Sequence, residues 1–88
     1  MYQARKDSVR FSVKVDGQVQ RVSLVGDFNG WKPLAMKKQK DGAFVRLVPR
    51  PKGNFQYKFI VEDNWITDPD NRHVVPNAFG TLNSVGSL

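Results

Sequence analysis

Apolar and polar residues alternate with a period of two along most of this chain, the spacing of half-buried strands. Val9, Phe11, Val13 and Val15 alternate with Arg10, Ser12 and Lys14. Asp16-Gly17 follows, a dipeptide that readily supplies positive φ, and predicts a tight hairpin to a return strand over residues 19–25. Asp41-Gly42 predicts a second hairpin between residues 34–39 and 43–48. In the latter segment Phe44 and Val48 share one face and Val45 and Leu47 the other, which predicts burial on both sides. Pro49 and Pro51 mark a turn, since two prolines do not fit a central strand. The clearest strand is next: Phe55, Tyr57, Phe59 and Val61 alternate with Gln56, Lys58, Ile60 and Glu62. Shorter extended pieces are expected at 65–67, 72–75 and 82–85, divided by Asp68-Pro69-Asp70-Asn71 and Pro76-Asn77. No segment has helical periodicity. Short strands with turns at this spacing predict an all-β, immunoglobulin-like β-sandwich, one domain over residues 1–88.

Composition narrows the function classes. With no cysteine, disulfides and thiolate metal sites are excluded. The N-terminal residues have no apolar run behind their basic positions, and no stretch approaches the ~20 apolar residues of a spanning helix. The expectation is a cytoplasmic protein with no membrane partner. A net charge of +6 raises nucleic acid as a partner. Its densest cluster, Lys37-Lys38-Gln39-Lys40, sits at the expected hairpin turn and reads as a solvated edge, so nucleic acid is disfavoured. Catalysis finds no constellation. His73 is the one histidine, no serine has a nucleophile-elbow context, and no phosphate-cradling glycine loop exists. Glu62, Asp63, Asp68 and Asp70 fall in turns, where such side chains favour local backbone bonds, and they lack the spacing of a calcium loop. No enzyme activity, cofactor or metal site is expected.

Aromatic and polar residues offer a binding surface instead. Trp31 closes a loop rich in Asn and Gly, and Trp65 starts a short segment after a turn. At such edges an indole can present its apolar face while its N–H stays hydrated, and a pyranose ring carries an apolar C–H face of similar size. Burial in the core is the competing reading, and the residues alone leave the two open. Parity adds that Lys58 and Gln56 point away from the face of Phe55, Tyr57 and Phe59. If the C-terminal segment is extended, Phe79, Thr81 and Asn83 share one side.

Four ordered blocks then carry a resemblance. Val22-Ser23-Leu24-Val25-Gly26-Asp27-Phe28-Asn29-Gly30-Trp31 is the first, and Gly53-Asn54-Phe55-Gln56-Tyr57-Lys58-Phe59-Ile60-Val61 the second. Trp65-Ile66-Thr67-Asp68-Pro69 and Gly80-Thr81-Leu82-Asn83-Ser84 complete the set. Over about residues 20–86 the chain resembles family 48 carbohydrate-binding modules. These include the glycogen-binding domain of the AMP-activated protein kinase β subunit and N-terminal domains of isoamylases and glycogen-branching enzymes. The resemblance implies non-catalytic binding of α-1,4-glucan: glycogen, starch, maltooligosaccharide or cyclodextrin. It also implies the contacts, with stacking on Trp31 and Trp65 and hydroxyl recognition by Lys58, Thr81 and Asn83. Phe79 stands where the kinase-subunit domains have a leucine. Before the second tryptophan the family often has Val-Asp-Gly, whereas this chain has Val61-Glu62-Asp63; Asp tolerates the left-handed backbone less easily than Gly, so a slightly different turn is expected there. The alternative implied by the enzyme-linked members is a structural or protein-interaction module that positions a glucan enzyme or kinase complex.

Overall fold

A computed structural model describes all residues, 1–88, and resolves them into two packed antiparallel sheets, an immunoglobulin-like β-sandwich. The first sheet has the order β1-β2-β6-β5. Its strands are β1 (Tyr2–Ala4), β2 (Ser8–Val13), β5 (Lys37–Lys38) and β6 (Phe44–Pro49). The second runs β4-β3-β7-β10-β9, from β3 (Val22–Gly26), β4 (Leu34–Ala35), β7 (Phe55–Val61), β9 (Val74–Pro76) and β10 (Leu82–Gly86). β8 (Asn64–Ile66) pairs with the C-terminal half of β7, on the edge whose N-terminal half holds β10.

Alternation decides what each sheet buries. Val9, Phe11 and Val13 of β2 and Phe44 and Val48 of β6 meet Val22, Leu24, Phe55, Tyr57 and Phe59 from the opposite layer. Phe11 is the hinge of this core, edge-on to Phe55 and Tyr57 and stacked on Phe28, at centroid distances of 5.6, 5.0 and 5.5 Å.

Three expectations are corrected here. Asp16-Gly17 does form a turn, with Gly17 at φ 87°, but its flanking strands are not a hairpin. Both edges of β2 are taken by β1 and β6, and both edges of β3 by β4 and β7, so the loop crosses between layers. Val15 and Val19 pack against the core on the way. The expected strand at 34–39 is likewise split. β4 pairs with β3, β5 pairs with β6, and the buried Met36 between them donates its N–H to the Val22 carbonyl. The Asp41-Gly42 hairpin itself is present, between β5 and β6, with Gly42 at φ 90°. Finally, β6 is buried on one face only. Leu47 is 52% exposed because no third layer covers the outer side of its sheet.

Beneath the second sheet lies a buried polar group. The Tyr57 hydroxyl donates to Asp68 Oδ2 at 2.6 Å and accepts from Asn71 Nδ2 at 3.1 Å. Asp68 in turn binds the Asp70 N–H, its own N–H reaches Ser84 Oγ, and the Met1 ammonium pairs with its carboxylate. Asp68 is therefore more than a turn residue: it satisfies a fully buried phenol. Burial, and next the hydrogen bond to the Asp68 carboxylate, push the Tyr57 phenol far above its ordinary value. The folded state thus keeps this proton after the unfolded chain has lost it. Its contribution is complete below about pH 10, the unfolded phenol's value, and is lost progressively as pH rises above that. Thermal melts should therefore show Tm falling above pH 10, and Tyr57→Phe should flatten that fall while lowering Tm at neutral pH. An unchanged slope in Tyr57→Phe would assign the fall to other groups.

No helix of the chain is long and apolar enough to cross a membrane.

Candidate functional site

The outer face of the second sheet carries the site. Ile60 of β7 pairs with Trp65 of β8, and Gln56 with Val85 of β10, so Trp65, Lys58 and Asn83 all emerge on the side away from the core. Trp65 is 52% exposed on its short strand. Lys58 lies on this face but is only 7% exposed, because the walls of the site cover it. No carboxylate pairs with its ammonium; the ion pairs present are Met1–Asp68 and Arg21–Glu62.

Trp31 reaches the same face from the loop after β3. A short 3-10 helix, Asp27–Asn29, ends in Gly30 at φ 71°, and Trp31 follows at φ 63°. A bulky side chain in the left-handed region is strained and persists only where its surroundings determine it. Here the Trp31 N–H donates to the Gly26 carbonyl at 2.8 Å, Asp27 Oδ2 accepts the Gln56 N–H at 3.1 Å, and Phe28 is pinned on Phe11. Gly26 is required beneath this loop, since a Cβ there would come within 2.2 Å of the Phe28 ring.

The remaining wall is a turn rather than an extended strand, which corrects the expected geometry for Phe79 and Thr81. Residues 77–81 fold back between β9 and β10, with Gly80 at φ 80°. Asn77 Oδ1 accepts the N–H groups of Phe79 and Thr81, at 2.9 and 3.2 Å. Phe79 stands at the tip, 91% exposed, an apolar ring held out into solvent. Thr81 Oγ1 receives Lys58 Nζ at 3.4 Å and Asn77 Nδ2 at 2.7 Å. Asn83, on β10, donates to Gln56 Oε1 at 3.0 Å.

Trp31, Lys58, Trp65, Phe79, Thr81 and Asn83 together line one open cavity of about 580 Å³, with Asn77. All six residues singled out from the sequence are brought together. Asn77 is the one the sequence reading missed, although Pro76-Asn77 was marked as a turn. Its signal was an Asx turn, an asparagine two residues ahead of Phe79 with Gly80 behind it. The turn before the second tryptophan takes its left-handed residue one position earlier than residue type suggests. Positive φ falls on Glu62, at 55°, and not on Asp63. Glu62 is held by its carboxylate on the Gln20 N–H at 2.8 Å and by its own N–H on the Arg21 carbonyl at 2.9 Å. The lining holds no Asp, Glu or His, so its chemistry is apolar faces beside neutral and cationic hydrogen-bond donors. Such a lining suits a ligand with alternating apolar and hydroxylated surfaces.

Fold and cavity together define a β-sandwich binding module with an aromatic-rimmed groove on one sheet. The chain belongs to the family described as the glycogen recognition site of AMP-activated protein kinase, whose model matches residues 9–87. It is 36% identical over 69 residues to 5'-AMP-activated protein kinase subunit beta-1 of Sus scrofa, covering 78% of this chain and 55% of that protein. It is 34% identical over 83 residues to subunit beta-2 of Mus musculus, covering 94% of this chain and 29% of that one. The chain thus spans about half or less of the length of these relatives. In backbone, the maltogenic amylase from S. marinus superimposes with a TM-score of 0.80 over 100% of this chain and 16% of its own; at 17% identity this shows a shared fold.

Proposed function

We propose that residues 1–88 form one non-catalytic domain that holds α-1,4-glucan (glycogen, starch, maltooligosaccharides or cyclodextrins) in the groove between Trp31 and Trp65. Successive glucose rings stack on the two indoles, Phe79 fills the apolar interior of the curved chain, and Lys58, Thr81 and Asn83 bond the hydroxyls. The observation that carries this reading is that residues scattered from 31 to 83 line a single cavity of about 580 Å³ with no carboxylate in it. Membership in a family of glycogen recognition sites supports the same ligand class. A shallow groove of this kind is expected to bind in the micromolar-to-millimolar range, roughly −4 to −8 kcal/mol. Titration calorimetry with β-cyclodextrin and maltoheptaose tests it: saturable heat with weak salt dependence is expected, because the ligand is neutral. No heat at millimolar ligand overturns it.

The relatives are subunits of a kinase, which favours a companion role in positioning a kinase complex or a glucan-metabolising enzyme in the cytoplasm. Nucleic acid fits the geometry less well. Lys37 and Lys38 lie on β5 in the first sheet, whereas the groove, on the outer face of the second, has Lys58 as its one cation.

A further inference from the structure

We propose that Asn77 is the positioning residue that fixes the hydrogen-bond polarity of the groove, turning Thr81 into an obligate donor toward the ligand; this rests on the glucan reading above. The chain of assignment starts at the backbone. Two N–H groups, of Phe79 and Thr81, point at one oxygen of the Asn77 amide, so that atom is Oδ1 and its partner is the NH2 group. That NH2 group has two hydrogens, and both are used. One goes to Thr81 Oγ1 at 2.7 Å, the other to Asn83 Oδ1 at 2.9 Å.

Thr81 Oγ1 has two acceptor sites and one hydrogen to give. Asn77 fills one acceptor site and the Lys58 ammonium, at 3.4 Å, fills the other. Its own hydrogen is then left for the cavity. Asn83 is oriented by the same step: its oxygen faces Asn77, so its NH2 group faces Gln56 Oε1 and keeps one hydrogen free. Lys58 keeps its other two hydrogens. The polar wall therefore presents donors from Lys58, Thr81 and Asn83 and a single spare acceptor site on Asn83. The ligand feature it selects is a set of adjacent oxygens serving as acceptors, as the neighbouring hydroxyls of a glucose ring do. Without Asn77 only Lys58 would remain a fixed donor, because the Thr81 hydroxyl could rotate to either role and the Asn83 oxygen would lose the amide that orients it.

Asn77→Asp separates polarity from shape. A carboxylate can still accept the Phe79 and Thr81 N–H groups and keep the turn, but it cannot donate. The Thr81 hydrogen then turns to the new oxygen and is lost to the ligand. Calorimetry with β-cyclodextrin should show Thr81→Val weakening binding about two- to tenfold, the scale of one neutral hydrogen bond. Asn77→Asp should weaken it at least as much, with the amide exchange of Phe79 and Thr81 unchanged. The double variant Asn77→Asp/Thr81→Val should bind no more weakly than Asn77→Asp, within about twofold, because both changes remove the same donor. Wild-type affinity in Asn77→Asp, or losses that multiply in the double variant, would overturn the proposal. If Asn77→Asp disturbs the turn, Thr81→Val decides alone: it leaves the turn's bonds to the backbone intact, and wild-type affinity there refutes the donor role. Absence of β-cyclodextrin binding by the wild-type protein would instead remove the glucan reading beneath it.

Discussion

Replacing Trp31 and Trp65 together by alanine should abolish measurable β-cyclodextrin binding while leaving the fold intact. The scale comes from ring stacking in nucleic-acid platforms, about 1–3 kcal/mol per aromatic, applied here to the apolar face of a sugar. Each single substitution then weakens binding roughly five- to 150-fold and the pair roughly 25- to 20,000-fold, which takes a site in the middle of the expected range to about millimolar or beyond. Trp65 is half exposed and contributes little to the core, so the Trp65→Ala melt should lie close to wild type. Trp31 is different, because its backbone at φ 63° opposes any side chain. Trp31→Gly should therefore be more stable than Trp31→Ala, by up to about 1 kcal/mol, while binding equally poorly. Undiminished binding by the double alanine variant would remove both indoles from the site.

The largest stability effect is expected from Phe11→Ala. Phe11 is fully buried and touches Phe55 and Tyr57 of the opposite sheet and Phe28 of the loop that carries Trp31. Truncating a buried Phe costs about 3–5 kcal/mol, the transfer of the lost ring plus the cavity it leaves. For a domain of this size each kcal/mol moves Tm by roughly 4–8 °C, so a fall of at least about 12 °C, or loss of the cooperative transition, is expected in a circular-dichroism melt. Leu47→Ala, on the uncovered face of β6, is the control and should stay within about 0.5 kcal/mol of wild type. Equal effects at the two positions would contradict the one-sided burial of β6.

What the sequence made legible follows from how local each feature is. β7 could be read directly, because a seven-residue alternation fixes both the core face of Phe55, Tyr57 and Phe59 and the opposite face of Lys58. The Asp41-Gly42 hairpin was equally local. Asp16-Gly17 has the same turn chemistry, yet whether its flanks pair depends on which edges are free, and β6 and β7 had claimed them. Leu47 shows the same limit in another form. Alternation says which side a residue takes and not whether another layer lies there. The six groove residues were named through motif resemblance, which carries contact residues and passes over the scaffold behind them. Asn77 belongs to that scaffold, visible only once Thr81 and Asn83 are seen to share its amide. Glu62 was missed because residue type pointed to Asp63, whereas the turn is held by a carboxylate on Gln20, 42 positions away.

The left-handed backbone at Trp31 has a consequence for the tempo of capture. Its loop is already closed on Gly26, Gln56 and Phe11, so the backbone that carries the indole is ordered before any ligand arrives, and the cost of ordering it falls on folding. On the proposed reading, a glucan arriving at such a surface would have no loop to wait for. Encounter and lodging would become a single step, and a weak complex of this kind would form and release quickly, sampling many positions along a polymer instead of staying at one.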